Sequence, residues 1–341
     1  MSLKRIYIFI LIGLLLSACK FGGDSKPLER SDSAAVHITR YDKLLTEYVK
    51  FNSFSALQKM NTESMQETKI LIEDVLSIGR VNDDNIHQKL KEFYSDTTLL
   101  QLMADVEAKY EDIGKIEKQI NKGFARLTKE VPQLPVPHVY TQISAFNESI
   151  IVQDSLIGIS LDKYMGADYP LYKKFYYDYQ CRSMSPERIV PDCFFFYLFS
   201  KYPLPANSKR TLLHTLLHFG KLNYIVQEIL NISSAEDLLG YSKREKAWCE
   251  SHRKTVWEYM LANGHLHATD PQIIRNYTKP APDPVYFGDD SPPLIGIWIG
   301  MQIISSYMEH NKKVTIQQLL NTTDYDLVLA KSQYTSDKFK F

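Results

Sequence analysis

The chain is short of most features that would announce a chemistry. Its 341 residues carry 40 Lys+Arg against 40 Asp+Glu. With no excess of either sign, the electrostatic case for nucleic acid is gone. Cysteine is scarce, at four residues, one of them Cys19, and there is no Cys-x-x-Cys. The other three, Cys181, Cys193 and Cys249, allow at most one internal disulfide, and three buried thiols are expected. No His-Glu-x-x-His occurs, and no Gly-Lys-Ser/Thr closes a phosphate loop. No heptad pattern is sustained, so no coiled coil is expected. No cofactor is implied.

What is present begins with an address. Lys4 and Arg5 precede the apolar run Ile6 to Leu16, which is too short to span a bilayer comfortably. Leu16-Ser17-Ala18-Cys19 then matches the bacterial lipobox, in which the cysteine is lipidated and becomes the mature N-terminus. Residues 1–18 are the expected signal peptide, and 19–36 the lipidated cysteine with a Gly-, Ser- and Pro-containing tether. Lys20, and not Asp, follows the cysteine. By the usual sorting rule for bacterial lipoproteins this favours the outer membrane. With only Asp24 nearby as an acid, the expected orientation faces the periplasm. The roughly 17 tether residues average about 20–25 Å end to end.

Residues 37–131 read as an N-terminal helical region. Asp83 or Asp84 can cap a helix holding Ile86, Leu90 and Phe93. Thr97 or Thr98 can cap a longer one, from Leu99 to about Thr128. Pro132, Pro135 and Pro137 forbid helix and mark a boundary. The core is then expected over 132–334, with a short tail over 335–341. Residues 138–144, 150–152 and 156–160 are short, β-branched and partly alternating, which predicts one small sheet. Tyr169, Tyr172, Phe175, Tyr176, Tyr177 and Tyr179 form an aromatic run read as core. Ser185-Pro186-Glu187 starts a helix whose Phe194 to Phe199 should fill a buried face. Ser242 with Glu245 is a capping box, and Asp270-Pro271 opens another helix. Residues 278–293 form a proline-rich loop with Asp289-Asp290, read as solvated turn acids. Gly296 and Gly300 suit a close approach between helix backbones. The fold class is mainly α (α+β), a helical domain with one small sheet.

The most tempting site is Leu212 to Tyr224. His214 and His218 are four apart and share a helical face. A zinc peptidase needs a general base between its ligands, and Thr215 occupies that position. Arg210 and Lys221, read onto the same face, would oppose a dication. The helix is otherwise apolar most of the way round, so a structural role for both histidines is expected. The alternative is an envelope zinc metallopeptidase using His214, His218 and a downstream acid such as Glu236 or Asp237.

Several segments carry a resemblance. They are His37-Ile-Thr-Arg-Tyr-Asp42, Pro137 to Thr141, Leu161-Asp-Lys-Tyr-Met-Gly166, Cys181-Arg-Ser-Met-Ser-Pro-Glu187, Gly220-Lys221, Gly240-Tyr241 and Trp298 to Met308. In this order, behind a lipobox, they resemble GldB, the gliding-motility-associated lipoprotein family of Bacteroidota. Departures fall at Pro292-Pro293-Leu294, where that family more usually has Pro-Gly-Arg, and at Met301, where a second Trp is usual. The family is in turn distantly similar to predicted zincin-type peptidases. That likeness implies a metal helix over Arg188 to Phe199 and a third ligand near Phe219-Gly220, and the required ligands are missing from both. The resemblance thus implies a degenerate zincin-like scaffold. It implies a non-catalytic protein, anchored in the membrane by its N-terminal lipid and acting with envelope protein partners in gliding. A third reading, a binding module for glycan or peptide, rests on the aromatic run and the proline-rich loop, and it requires exposed rings.

Overall fold

A four-stranded sheet organises the chain in the computed structural model, which describes residues 35–205, 210–280, 286–288 and 290–334. Its strands are β1 (Ile38–Thr39), β2 (His138–Gln142), β3 (Ile150–Gln153) and β4 (Leu156–Ser160), in the order β1-β2-β4-β3. β2 runs parallel to β1 and to β4, while β3 and β4 form an antiparallel hairpin. The small sheet expected from 138–160 is there, and β1 joins it from a segment that two residues were too few to betray. Arg40 grips Asp42 through two hydrogen bonds of 2.7–2.8 Å, and the Thr141 hydroxyl donates to Asp42 at 2.5 Å. This ties β1, and the helix after it, to β2.

The rest is helical, as the mainly α (α+β) reading required. Helices α1 (Tyr41–Phe51), α2 (Phe54–Thr62), α3 (Met65–Lys69, continued by a wide π turn to Val75), α4 (Ile86–Tyr94), α5 (Thr97–Lys109) and α6 (Gly114–Glu130) precede the sheet's main body. One expectation fails here. The single helix from Leu99 to about Thr128 is two, broken at Tyr110–Ile113, where the Asp112 carboxylate accepts from the Gly114 N–H at 2.7 Å. A local side-chain bond of this kind competes with helix continuation. Caps shift too: Asp96 caps α5 through Thr98 and Leu99, and Asn85 stands before α4 without a side-chain cap.

After β4 come α7 (Tyr172–Phe175), α8 (Asp178–Cys181), α9 (Ile189–Lys201), α10 (Leu212–Leu230), α11 (Ala235–Leu238) and α12 (Lys243–Ala262). Then follow α13 (Pro271–Thr278), α14 (Ile295–His310), α15 (Ile316–Asn321) and α16 (Tyr325–Ser332). The capping box of α12 and the Asp270 cap of α13 form as expected. The expectation of close glycine packing is met by α10 against α14. A Cβ on Gly220 would lie 2.5–2.8 Å from the backbone of Gly300 and Met301, and one on Gly296 would meet Leu216 and Tyr277 at 2.5–2.8 Å. Only glycine permits that approach. Cys181, Cys193 and Cys249 are buried free thiols.

Candidate functional site

Where α9 and α10 meet, they leave an open cleft of about 870 Å³. Its floor is apolar. Phe195 and Phe196 from α9 and Phe219 from α10 line it while only partly buried. Phe219 sits 6.2 Å from Phe195 and 5.6 Å from Phe199, ring centre to ring centre. This corrects the expectation that Phe194 to Phe199 fills a buried face. Phe194, Tyr197 and Leu198 are buried, but Phe195, Phe196 and Phe199 are not. The helix is apolar over most of its surface, and it packs against α6, α10, β3 and β4 while leaving these three rings part-exposed. Periodicity cannot show which face of such a helix stays open.

The wall is built by the turn after β4. Asp162 is fully buried, and its carboxylate accepts from the Ser144 N–H at 2.8 Å and the Phe146 N–H at 2.7 Å. It thereby holds Ala145 and Phe146 at φ of 52° and 67°, a left-handed pair that needs such support. Burial nonetheless raises its pKa above the usual carboxylate range. Lys163, next in sequence, lines the cleft. Its ammonium donates to the Phe146 carbonyl at 3.2 Å and the Tyr176 hydroxyl at 3.0 Å, and lies 4.6 Å from the Tyr176 ring centre. The Tyr164 hydroxyl donates to Asp192 at 3.0 Å, and Arg188 grips the other oxygen of Asp192 at 2.5 Å while bonding the Leu238 carbonyl. Arg182 is paired with Glu245, the same residue that closes the α12 capping box. Burial would raise the Glu245 pKa, but the bonds from Arg182 and Ser242 outweigh it and leave the carboxyl below its ordinary value.

Beside this wall the aromatic run divides. Tyr172 is buried, and its hydroxyl bonds the Asp162 carbonyl at 2.5 Å. Phe175, Tyr177 and Tyr179 are 60%, 72% and 36% exposed, so the core reading fails for them. A four-residue helix followed by another presents too little surface to bury every ring. Tyr176 and Tyr179 border the cleft. In the proline-rich loop, Asp290 pairs with Arg244, and Tyr286 and Phe287 stack among Tyr259, His265 and Tyr277. Asp289 lies outside the described residues, as do Cys19 and the rest of 1–34.

The histidines lie on another face of α10. His214 belongs to the α10 capping box with Thr211, its Nδ1 accepting the Thr211 N–H at 3.3 Å. His218 is 1% exposed and hydrogen-bonded through Nδ1 to the Tyr325 hydroxyl of α16 at 2.8 Å. Burial, then Lys221, lowers its pKa to about 4. Lys221 is also buried and donates to the carbonyls of Leu320 and Thr322 at 3.1 and 2.8 Å, capping the C-terminus of α15. Its pKa falls to about 8 through burial. Arg210 lies before the helix, yet its charge, like that of Lys221, also lowers the His218 pKa. The helix starts after Thr211, and Arg210 bonds the Pro205 carbonyl. Glu236, the proposed third ligand, accepts the indole N–H of buried Trp298 at 2.6 Å. Asp237 pairs with Lys246. The structure therefore gives His214, His218 and Glu236 separate partners. Among the described residues no three of His, Cys, Asp and Glu gather as a metal-holding group.

Residues 24–336 match the family described as gliding motility protein GldB. The chain belongs to the GldB lipoprotein family. No curated protein and no solved structure matches it. Three of the segments that carry the GldB resemblance meet at the cleft, through Lys163 and Tyr164, through Arg182 to Ser185 with Glu187, and through Gly240. The family departure at Pro293-Leu294 is on the cleft too, with Leu294 held at φ 59° as α14 begins. The zincin likeness can be tested on the same ground. The two implied ligand stretches do meet, and what they bring together is Phe195, Phe199 and Phe219. Phenyl rings offer no donor to zinc. Asp192 is engaged by Arg188 and Tyr164, and burial keeps the Cys193 thiol protonated. This donor set does not fit the metal.

Proposed function

We propose that this GldB-family chain is a lipid-anchored, non-catalytic protein of the outer membrane that faces the periplasm and holds an envelope partner in its cleft. The observation that carries the reading is the phenylalanine floor. A roomy, open cleft surrounded by committed polar groups has aromatic rings where a hydrolase needs ligands or a base. Such a site suits an apolar group, and its aromatic floor supports a binding role over a hydrolytic one. The lipobox at Cys19 supports the anchor, Lys20 supports the outer membrane, and the tether length supports a protein kept close to that surface. The third sequence reading, a binding module, gains from the exposed rings of Tyr177 and Tyr179, stacked 5.8 Å apart beside the cleft.

The test uses two variants in the native envelope. Cys19→Ser should lose acyl labelling and leave the membrane fraction. Phe196→Arg, which fills the cleft from a half-open position, should stay labelled and anchored but lose its cross-linked envelope complex. Labelling that persists in Cys19→Ser, or an unchanged complex in Phe196→Arg, would refute the corresponding half of the proposal.

A further inference from the structure

We infer that the cleft takes an extended peptide segment of the partner, with a large apolar side chain set beside an acidic one. This rests on the proposed function and names the chemistry of its occupant. The argument is one of charge and wetting. Of the charged side chains on the cleft wall, Arg182, Arg188, Asp192 and Asp237 are already paired with opposite charges. Two are left among the described residues. Glu187 is exposed at the rim, where solvent screens it. Lys163 is half-buried, and both of its hydrogen-bond acceptors are neutral. A cation in that setting is complemented by a ligand carboxylate, which would meet a fixed donor prepositioned by Tyr176.

The floor decides what accompanies that carboxylate. Phe195, Phe196 and Phe219, with Leu294 beside them, expose apolar surface that only an apolar group can dry. A glycan would set hydroxyls on those apolar rings, and of the charged wall residues only Lys163 and Glu187 are without an opposite charge to pair with. A peptide supplies an apolar side chain and an acid one residue apart, at the scale of a cleft of about 870 Å³.

The experiment is fluorescence anisotropy on the lipidated protein in detergent. Three dye-labelled peptides serve as probes: Ala-Ala-Phe-Asp-Ala, Ala-Ala-Ala-Asp-Ala and Ala-Ala-Phe-Lys-Ala. The first should bind tightest, with a roughly tenfold loss for each of the others. Lys163→Met should bring the first and third to equal affinity, with a circular dichroism melt to check the fold. The peptide series on the unaltered protein keeps the inference testable even where that variant unfolds. Equal binding of all three peptides, or binding of none, overturns it. Tighter binding of an N-acetylglucosamine tetramer than of the first peptide also overturns it, in favour of a glycan. These failures leave the broader proposal standing, because that one falls only if Phe196→Arg keeps its envelope complex.

Discussion

Two faces of one helix carry opposite fates. On the first, α10 presents His214, His218 and Lys221, the residues that most resemble a site in the sequence. The protein's own C-terminal helices close over that face, with Tyr325 on His218 and the end of α15 on Lys221. On the second, α10 presents Phe219 and Asn223, neither of them titratable, and that face opens on the cleft. Titratable residues at ligand spacing are therefore no guide to function when their hydrogen bonds are spent within the fold. An apolar ring left half-wet is the more informative observation.

Breaking both faces at once should have the largest effect. Gly300 lies against Leu216 at the α10–α14 crossing. Gly300→Ala should destabilise by about 3 kcal/mol or more, since backbone would have to move. Urea unfolding measures this, and a change under 1 kcal/mol would mean that the helices are not so tightly crossed.

A milder break separates the faces by pH. With His218 depressed to about 4 in the folded state, the unfolded chain takes up the proton first as pH falls through about 6.5. Stability from this group is thus complete at neutral pH and declines towards pH 4. From pH 7 to pH 5 the loss is roughly 2 kcal/mol. His218→Gln should flatten the urea midpoint over that window relative to the unaltered chain. An identical pH dependence in both proteins would remove His218 from the account.

The cleft face should respond in the reverse sense. Phe196→Ala should change stability by less than about 1 kcal/mol, because the ring is only half-buried. Its effect belongs in partner binding, as anisotropy with the Phe-Asp peptide would show. A large loss of stability would make Phe196 a core residue and the cleft incidental. The smallest effect is expected from chelation. EDTA should leave the melting temperature unchanged, and a fall of several degrees would restore the histidine face as a metal site.

Much of the fold could be read from local chemistry. Pro132, Pro135 and Pro137 fixed the passage from helix to sheet, Ser242 and Glu245 started α12, and Gly296 with Gly300 announced a close crossing. Three things could not be read. β1 is two residues long and owes its existence to β2. The break after Lys109 depends on Asp112 out-competing a helix that the apolar spacing alone would continue. The open side of α9 is hidden because Phe194 and its neighbours are equally apolar, and only the arrangement of α6, β3 and α10 decides which of them meets solvent. The histidine face was legible in part. Lys221 pointed away from a dication, but its helix-capping role required sight of α15. The cleft had no signal beyond the resemblance segments, whose convergence is a matter of tertiary structure.

The most direct test places a photoreactive benzoylphenylalanine at either of two positions on α10, in the anchored protein within its own envelope. At Asn223 it borders the cleft, and at His214 it lies on the face beside α16. The account expects a discrete cross-linked partner from position 223, competed by the Phe-Asp peptide, and none from position 214. A partner captured from 214 and not from 223 would contradict it.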